Sequence, residues 1–84
     1  MSKSNLPLKS FIEAMARQLC LRRRQAFYGM SRHKAQADAF GILDMLSENG
    51  TPFGHPSMSW NKQAATETAN AYLDGEFTGG EPLP

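Results

Sequence analysis

The sequence predicts a small all-α protein built from three helices. Three observations carry that expectation. Apolar residues recur at helical spacing in three separate stretches, no alternating apolar and polar run is long enough for a strand, and capping or stop residues mark the ends of each stretch. With 84 residues the chain makes one domain. A chain of this size buries only about 60–65% of its unfolded surface, so the core is modest and a deep, multi-component active site is not expected.

The first helix is expected over about residues 8–28, where Leu8, Phe11, Ile12, Met15, Leu19 and Ala26 fall on one stripe. Pro7 suits a helix start because its missing N–H has no helical partner to lose, and Ser10 and Glu13 have the spacing of a capping box. Gly29 is placed to supply the left-handed residue that closes a helix.

The second helix is expected over 32–48, capped by the Ser31 hydroxyl and stopped by Asn49-Gly50. Ala35, Ala39, Phe40, Ile42, Leu43 and Leu46 supply its apolar face. Only about two residues would then separate the helices, the length of an antiparallel hairpin or a sharp corner. Residues 49–59 lose all periodicity and become turn-rich, with Phe53 and Met58 as anchors to the core.

A third helix follows over 60–73, capped by Ser59 or Asn61, with Trp60, Ala64, Ala65, Ala69, Tyr72 and Leu73 inward. Gly75 stops it. The domain is thus expected over 1–75, and residues 76–84, with two glycines, two prolines and two acids, read as a mobile acidic tail.

Charge is the least uniform property of the chain. Residues 1–34 set eight Lys and Arg against Glu13 alone, a net of +7, whereas residues 35–84 set Lys62 against seven acids, a net of −6. The overall +1 is therefore a cancellation between two regions.

Most function classes lose support from the residues present. A lone Cys20 allows no internal disulfide and suits a reducing compartment, so a cytoplasmic location is expected. No apolar run reaches the roughly 20 residues a membrane helix needs, and Glu13 and Arg17 interrupt the one stretch that resembles a secretory signal. Cys20 lies between Leu19 and Leu21 and reads as a buried, inert thiol. His55, in Gly54-His55-Pro56, reads as a turn residue, and the five-residue step from His33 to Asp38 puts the two on different faces of a helix. No metal-ligand spacing or phosphate-binding glycine loop occurs, so the chain is read as non-enzymatic, with no cofactor and no metal.

The basic segment is the informative feature. On a helix reaching Tyr28, the residues Arg17, Leu21, Arg24 and Tyr28 share an outward row, and Arg and Tyr are the types that anchor interfaces. Arg22 and Arg23 fan around the same helix. Arginines near a helix C-terminus are also favourable without any partner, but Arg32, His33 and Lys34 sit at a helix start, where the macrodipole disfavours cations. Stability alone does not account for that second cluster.

The expected partner-binding set is Arg17, Leu21, Arg22, Arg23, Arg24, Tyr28, Arg32, His33 and Lys34. The expected function is that of a small regulatory or inhibitor protein that binds another protein with an acidic or mixed surface. The alternative is nucleic-acid binding, with Arg22, Arg23, Arg24, Arg32 and Lys34 on phosphates. A helix-turn-helix reader fits poorly, because Arg24, Gln25 and Asp38 fall where that motif places apolar or small residues. Complementary halves also allow head-to-tail docking into a homo-oligomer. Against all of these stands a structural alternative, in which Asp38, Asp44 or Glu48 folds back onto the arginines and neutralises them.

Overall fold

The computed structural model describes residues 5–76, so of the expected tail over 76–84 all but Glu76 lies outside the described residues, and Glu76 itself closes α3 through its N–H on the Ala71 carbonyl at 2.9 Å. Three helices form, α1 (Leu8–Arg23), α2 (Gly29–Glu48) and α3 (Lys62–Leu73), with no strand among the described residues.

α1 is the central element. Phe11, Ile12, Met15, Ala16, Leu19 and Cys20 are all buried on its inner stripe. Pro7 is its N-cap, in extended backbone, and the Phe11 N–H donates to the Pro7 carbonyl at 2.9 Å. No side chain caps this end, so the expected capping box of Ser10 and Glu13 does not form; both residues already lie inside the helix.

The helix also ends sooner than its periodicity predicts. Arg24 takes the left-handed conformation (φ 59°, ψ 45°), its N–H donates to the Leu21 carbonyl at 3.1 Å, and the Gln25 N–H donates to the Cys20 carbonyl at 2.9 Å. That pair of bonds is a Schellman closure, with arginine where glycine is usual.

Gly29, expected to stop α1, instead opens α2 with φ 59°, after Tyr28 as an extended N-cap. The linker is therefore longer than two residues, and Ser31 sits within the first turn of α2 and caps nothing. Its carbonyl accepts from Cys20 Sγ at 3.6 Å and so ties the helices together near the corner. Ala35, Ala39, Ile42 and Leu43 bury the inner face of α2. Phe40, expected on that face, is 52% exposed.

Asn49 and Gly50 end α2 as expected, with Thr51 N–H returning to the Leu46 carbonyl at 2.8 Å. The loop then drops Phe53 onto the core. Its ring lies 5.5 Å from Phe11 and 4.9 Å from Trp60, and Phe11 lies 5.2 Å from Trp60, so three aromatic rings close one end of the core. Trp60 is 1% exposed and precedes α3 rather than joining it. Its indole N–H donates to the His55 carbonyl at 3.1 Å. A clasp holds it from the other side: Trp60 N–H donates to Asn5 Oδ1 at 2.9 Å, and Leu6 N–H donates to the Trp60 carbonyl at 2.8 Å.

Asn61 caps α3, its side-chain oxygen accepting from Ala64 N–H at 2.9 Å. Ala65, Thr68 and Ala69 are buried against α1, small enough to bring the two helices close. α3 runs in the same direction as α1, joined at its start by the Leu6 bond and along its length by Gln18 to Asn70 (2.9 Å) and Arg22 to Asp74 (3.0 Å). α2 packs on the other side of α1 and scarcely meets α3. The result is a slab of 35 × 33 × 16 Å.

Candidate interaction surface

The corner between α1 and α2 gathers most of the expected contact residues, although not as a helical row. Because α1 stops at Arg23, only Arg17 and Leu21 stand on it as a spaced pair. Arg24 is the left-handed residue after it, and Tyr28 is the cap of the next helix.

At the centre of the corner lies Phe27, which the sequence reading did not single out. Its half-buried ring is flanked by two guanidinium groups, Arg17 at 4.5 Å and Arg32 at 5.0 Å from the ring centre. Both arginines also reach Glu13, at 4.0 Å and 3.1 Å respectively. The single acid of the basic segment thus neighbours both cations that lie over one aromatic ring. Such preorganisation lowers the side-chain entropy an interface would otherwise have to remove.

Around this centre the surface is apolar and open. Leu21 is 69% exposed and Tyr28 79% exposed. A groove of about 560 Å³ runs beside Leu21 between α1 and α3, bordered by Arg17, Leu21, Gln25 and Phe27 at one end and by Leu6 and Lys62 at the other. Arg24 is exposed, and among the described residues it makes no side-chain hydrogen bond or ion pair.

The other cations divide differently. Arg22 Nη2 lies 3.0 Å from Asp74 and its Nη1 donates to Asn70 Oδ1 at 3.0 Å. Arg23 Nη2 lies 2.9 Å from Asp38 Oδ2, both side chains about four-fifths covered, while Arg23 Nη1 is buried with no hydrogen-bond partner. Part of the acidic half therefore does fold back: it pairs with Arg22, which stays exposed, and it largely covers Arg23. Lys34 reaches Asp38 only at 3.9 Å and is 70% exposed, and His33 is exposed. Asp44 and Glu48, the other acids expected to fold back, are exposed and join no ion pair among the described residues.

Cys20 is 1% exposed, as its apolar neighbours predict. His55 is a turn residue, its Nδ1 2.7 Å from Ser57 Oγ and accepting Ser57 N–H at 3.0 Å. Among the described residues no group of three or more His, Cys, Asp or Glu is placed to hold a metal ion, and no helix is long and apolar enough to cross a membrane.

No protein-family model matches this sequence, no curated protein matches it, and no solved structure matches its fold.

Proposed function

We propose that this chain is a non-enzymatic binding protein that modulates or inhibits a protein partner through the corner between α1 and α2. One observation carries the reading: Arg24, unpartnered among the described residues and held in a left-handed conformation that disfavours it, stands between exposed Leu21 and Tyr28. Strained backbone clusters at binding and switch sites, which supports a contact role for this residue. Beside it, Glu13 fixes Arg17 and Arg32 over Phe27, which supplies a rigid, cationic and aromatic neighbour. Arg and Tyr dominate interface hot spots, and a partner with an acidic or mixed surface would complement them. The unpaired Cys20 suits the cytoplasm as the place of action.

Nucleic-acid binding is the weaker reading. Two of its five proposed phosphate ligands, Arg22 and Arg23, are engaged by Asp74 and Asp38. The experiment that separates the two readings is affinity purification from the native host, with mass spectrometry, of the wild type and of the double variant Arg24→Glu with Tyr28→Ala. Loss of a specific protein from the variant, with helicity and melting temperature retained, supports the proposal, and unchanged capture overturns it. A parallel titration on random duplex and single-stranded nucleic acid would favour the second reading if binding fell steeply with log salt.

A further inference from the structure

α2 is charged against its own dipole at both ends. Its first turn, Gly29–Arg32, holds no acid and carries Arg32, with His33 and Lys34 following in the second turn, and its last turn holds no base and ends in Glu48, with Asp44 one turn earlier. A helix favours the opposite arrangement, anions at its start and cations at its end. Arg32 is compensated by Glu13, but Lys34 has only the 3.9 Å contact to Asp38, and Asp44 and Glu48 join no ion pair among the described residues.

These charges share the solvent side of α2. At about 100° per residue, Met30, Lys34, Ala37, Gly41, Asp44 and Glu48 fall within one outward stripe, and all six are exposed. Met30, at 80% exposure, is the most exposed large apolar side chain in the described structure. Gly41 lies at mid-helix with ordinary helical backbone, and a Cβ built on it would meet nothing within 4 Å. Neither conformation nor packing within the chain calls for glycine there, although glycine weakens a helix interior.

The stripe is its own complement when reversed. Set two copies of α2 antiparallel about a two-fold axis level with Ala39. Lys34 then faces Asp44 of the second copy, Ala37 faces Gly41 of the second copy, and Met30 lies against the last turn that carries Glu48. Every pairing occurs twice, which is the defining property of an isologous interface. The antiparallel partner also opposes the dipole of each helix and brings anions to the cationic end. Ala37 and Gly41 at the crossing permit close approach of the backbones.

We infer that the outward face of α2 is a self-association surface, on which a second copy of this chain docks as an antiparallel, two-fold symmetric dimer. It shares Lys34 with the expected partner-binding set, but Leu21, Arg24 and Tyr28 of the α1 corner take no part in it, and its symmetry differs from the head-to-tail docking expected from the charged halves.

Sedimentation equilibrium on the full chain tests this with charge exchange. The wild type is expected to rise from 9.3 kDa toward twice that mass as concentration increases. Lys34→Glu alone and Asp44→Lys alone each place like charges in both crossing pairs, and each should weaken the dimer by about tenfold or more. Mixing the two single variants pairs opposite charges again at both positions, and heterodimer should return. Gly41→Leu should retain the helical circular-dichroism signal and lose the dimer, because the position is exposed and a Cβ there meets nothing within 4 Å of its own chain. A wild type that stays at monomer mass at every concentration overturns the inference. So does a dimer that survives both single charge variants, or a mixture that fails to recover it. Capture of a heterologous partner plays no part in the readout, so this test and that of the α1 corner fail independently.

Discussion

Arg24 and Gly75 occupy equivalent positions at the ends of α1 and α3: each is the left-handed residue of its closure, with φ of 59° and 82°. At Gly75 the N–H returns to Tyr72 at 3.1 Å and Glu76 N–H to Ala71 at 2.9 Å, which matches the pattern Arg24 and Gln25 make with Leu21 and Cys20. The backbone geometry is shared and only the residue differs. A left-handed conformation costs a non-glycine residue roughly 1–2 kcal/mol.

Arg24→Gly should therefore stabilise the domain. Glycine's larger entropy loss on folding offsets part of the relief, leaving a gain of about 0.5–1 kcal/mol. For a domain of this size that raises Tm by several degrees, at about 4–8 °C per kcal/mol. The same variant should lose the partner if the α1 corner binds one. Thermal denaturation followed by circular dichroism gives the first readout, and a Tm unchanged or lowered would show that Arg24 is not strained.

Phe27 and Arg32 should be energetically coupled. A double-mutant cycle with Arg32→Ala and Phe27→Leu isolates the ring contact from the Glu13 ion pair, and urea denaturation should return a coupling of about 0.5–1 kcal/mol. Purely additive effects would mean that the guanidinium only rests near the ring.

Trp60 should be the most sensitive position. Trp60→Ala removes a 1% exposed side chain that holds one indole bond and contacts Phe11 and Phe53. The cost is about 3–5 kcal/mol, against a total stability that for a domain of this length is on the order of 4–13 kcal/mol. Far-ultraviolet circular dichroism should show a partly unfolded population or a steeply lowered Tm. Near-wild-type stability would mean that the aromatic cluster is not the keystone of the core.

Cys20 should be silent to thiol reagents in the native state. At 1% exposure, with its thiol directed to the Ser31 carbonyl, it is shielded while the helices stay packed. Labelling with a chromogenic disulfide in rising urea should follow the unfolding curve. Rapid labelling without denaturant would reveal local opening at the corner.

The three helices were legible because each carries its own apolar stripe and at least one local stop. Phe11, Ile12, Met15 and Leu19 mark α1 unambiguously, and Asn61 and Gly75 bracket α3 through side-chain and backbone preferences that act within a few residues. The α1 end was misplaced because Ala26 and Tyr28 continue the period and Gly29 offers an obvious stop, while nothing local says that Arg24 will turn left-handed. That choice is made by tertiary fit: α2 must return across α1 in time for Ala35 and Ala39 to reach its inner stripe. Phe40 was misassigned for a related reason, since it lies at the edge of the α2 stripe and position alone does not say where the neighbouring helix ends.

The site was legible as a composition but not as an arrangement. Clustered arginines announced a basic surface, yet which of them remain free depended on Asp38 and Asp74, 15 residues from Arg23 and 52 from Arg22 along the chain. Phe27 goes unmarked because a single aromatic carries no spacing signal, and the spacing of Glu13 points to a capping box that does not form. Their role arises only once the corner brings Arg17 and Arg32 over the same ring.

The clasp between Asn5, Leu6 and Trp60 makes the beginning of the described chain a latch for its last linker. It joins positions 55 residues apart and encloses α1 and α2 within the closed loop. Cleavage in the first turn of α1, where exposed Lys9 offers a tryptic site, would cut the latch from the helix it anchors. The indole would then register the cut as a red shift of the protein's single tryptophan, although the severed bond lies far from it in sequence.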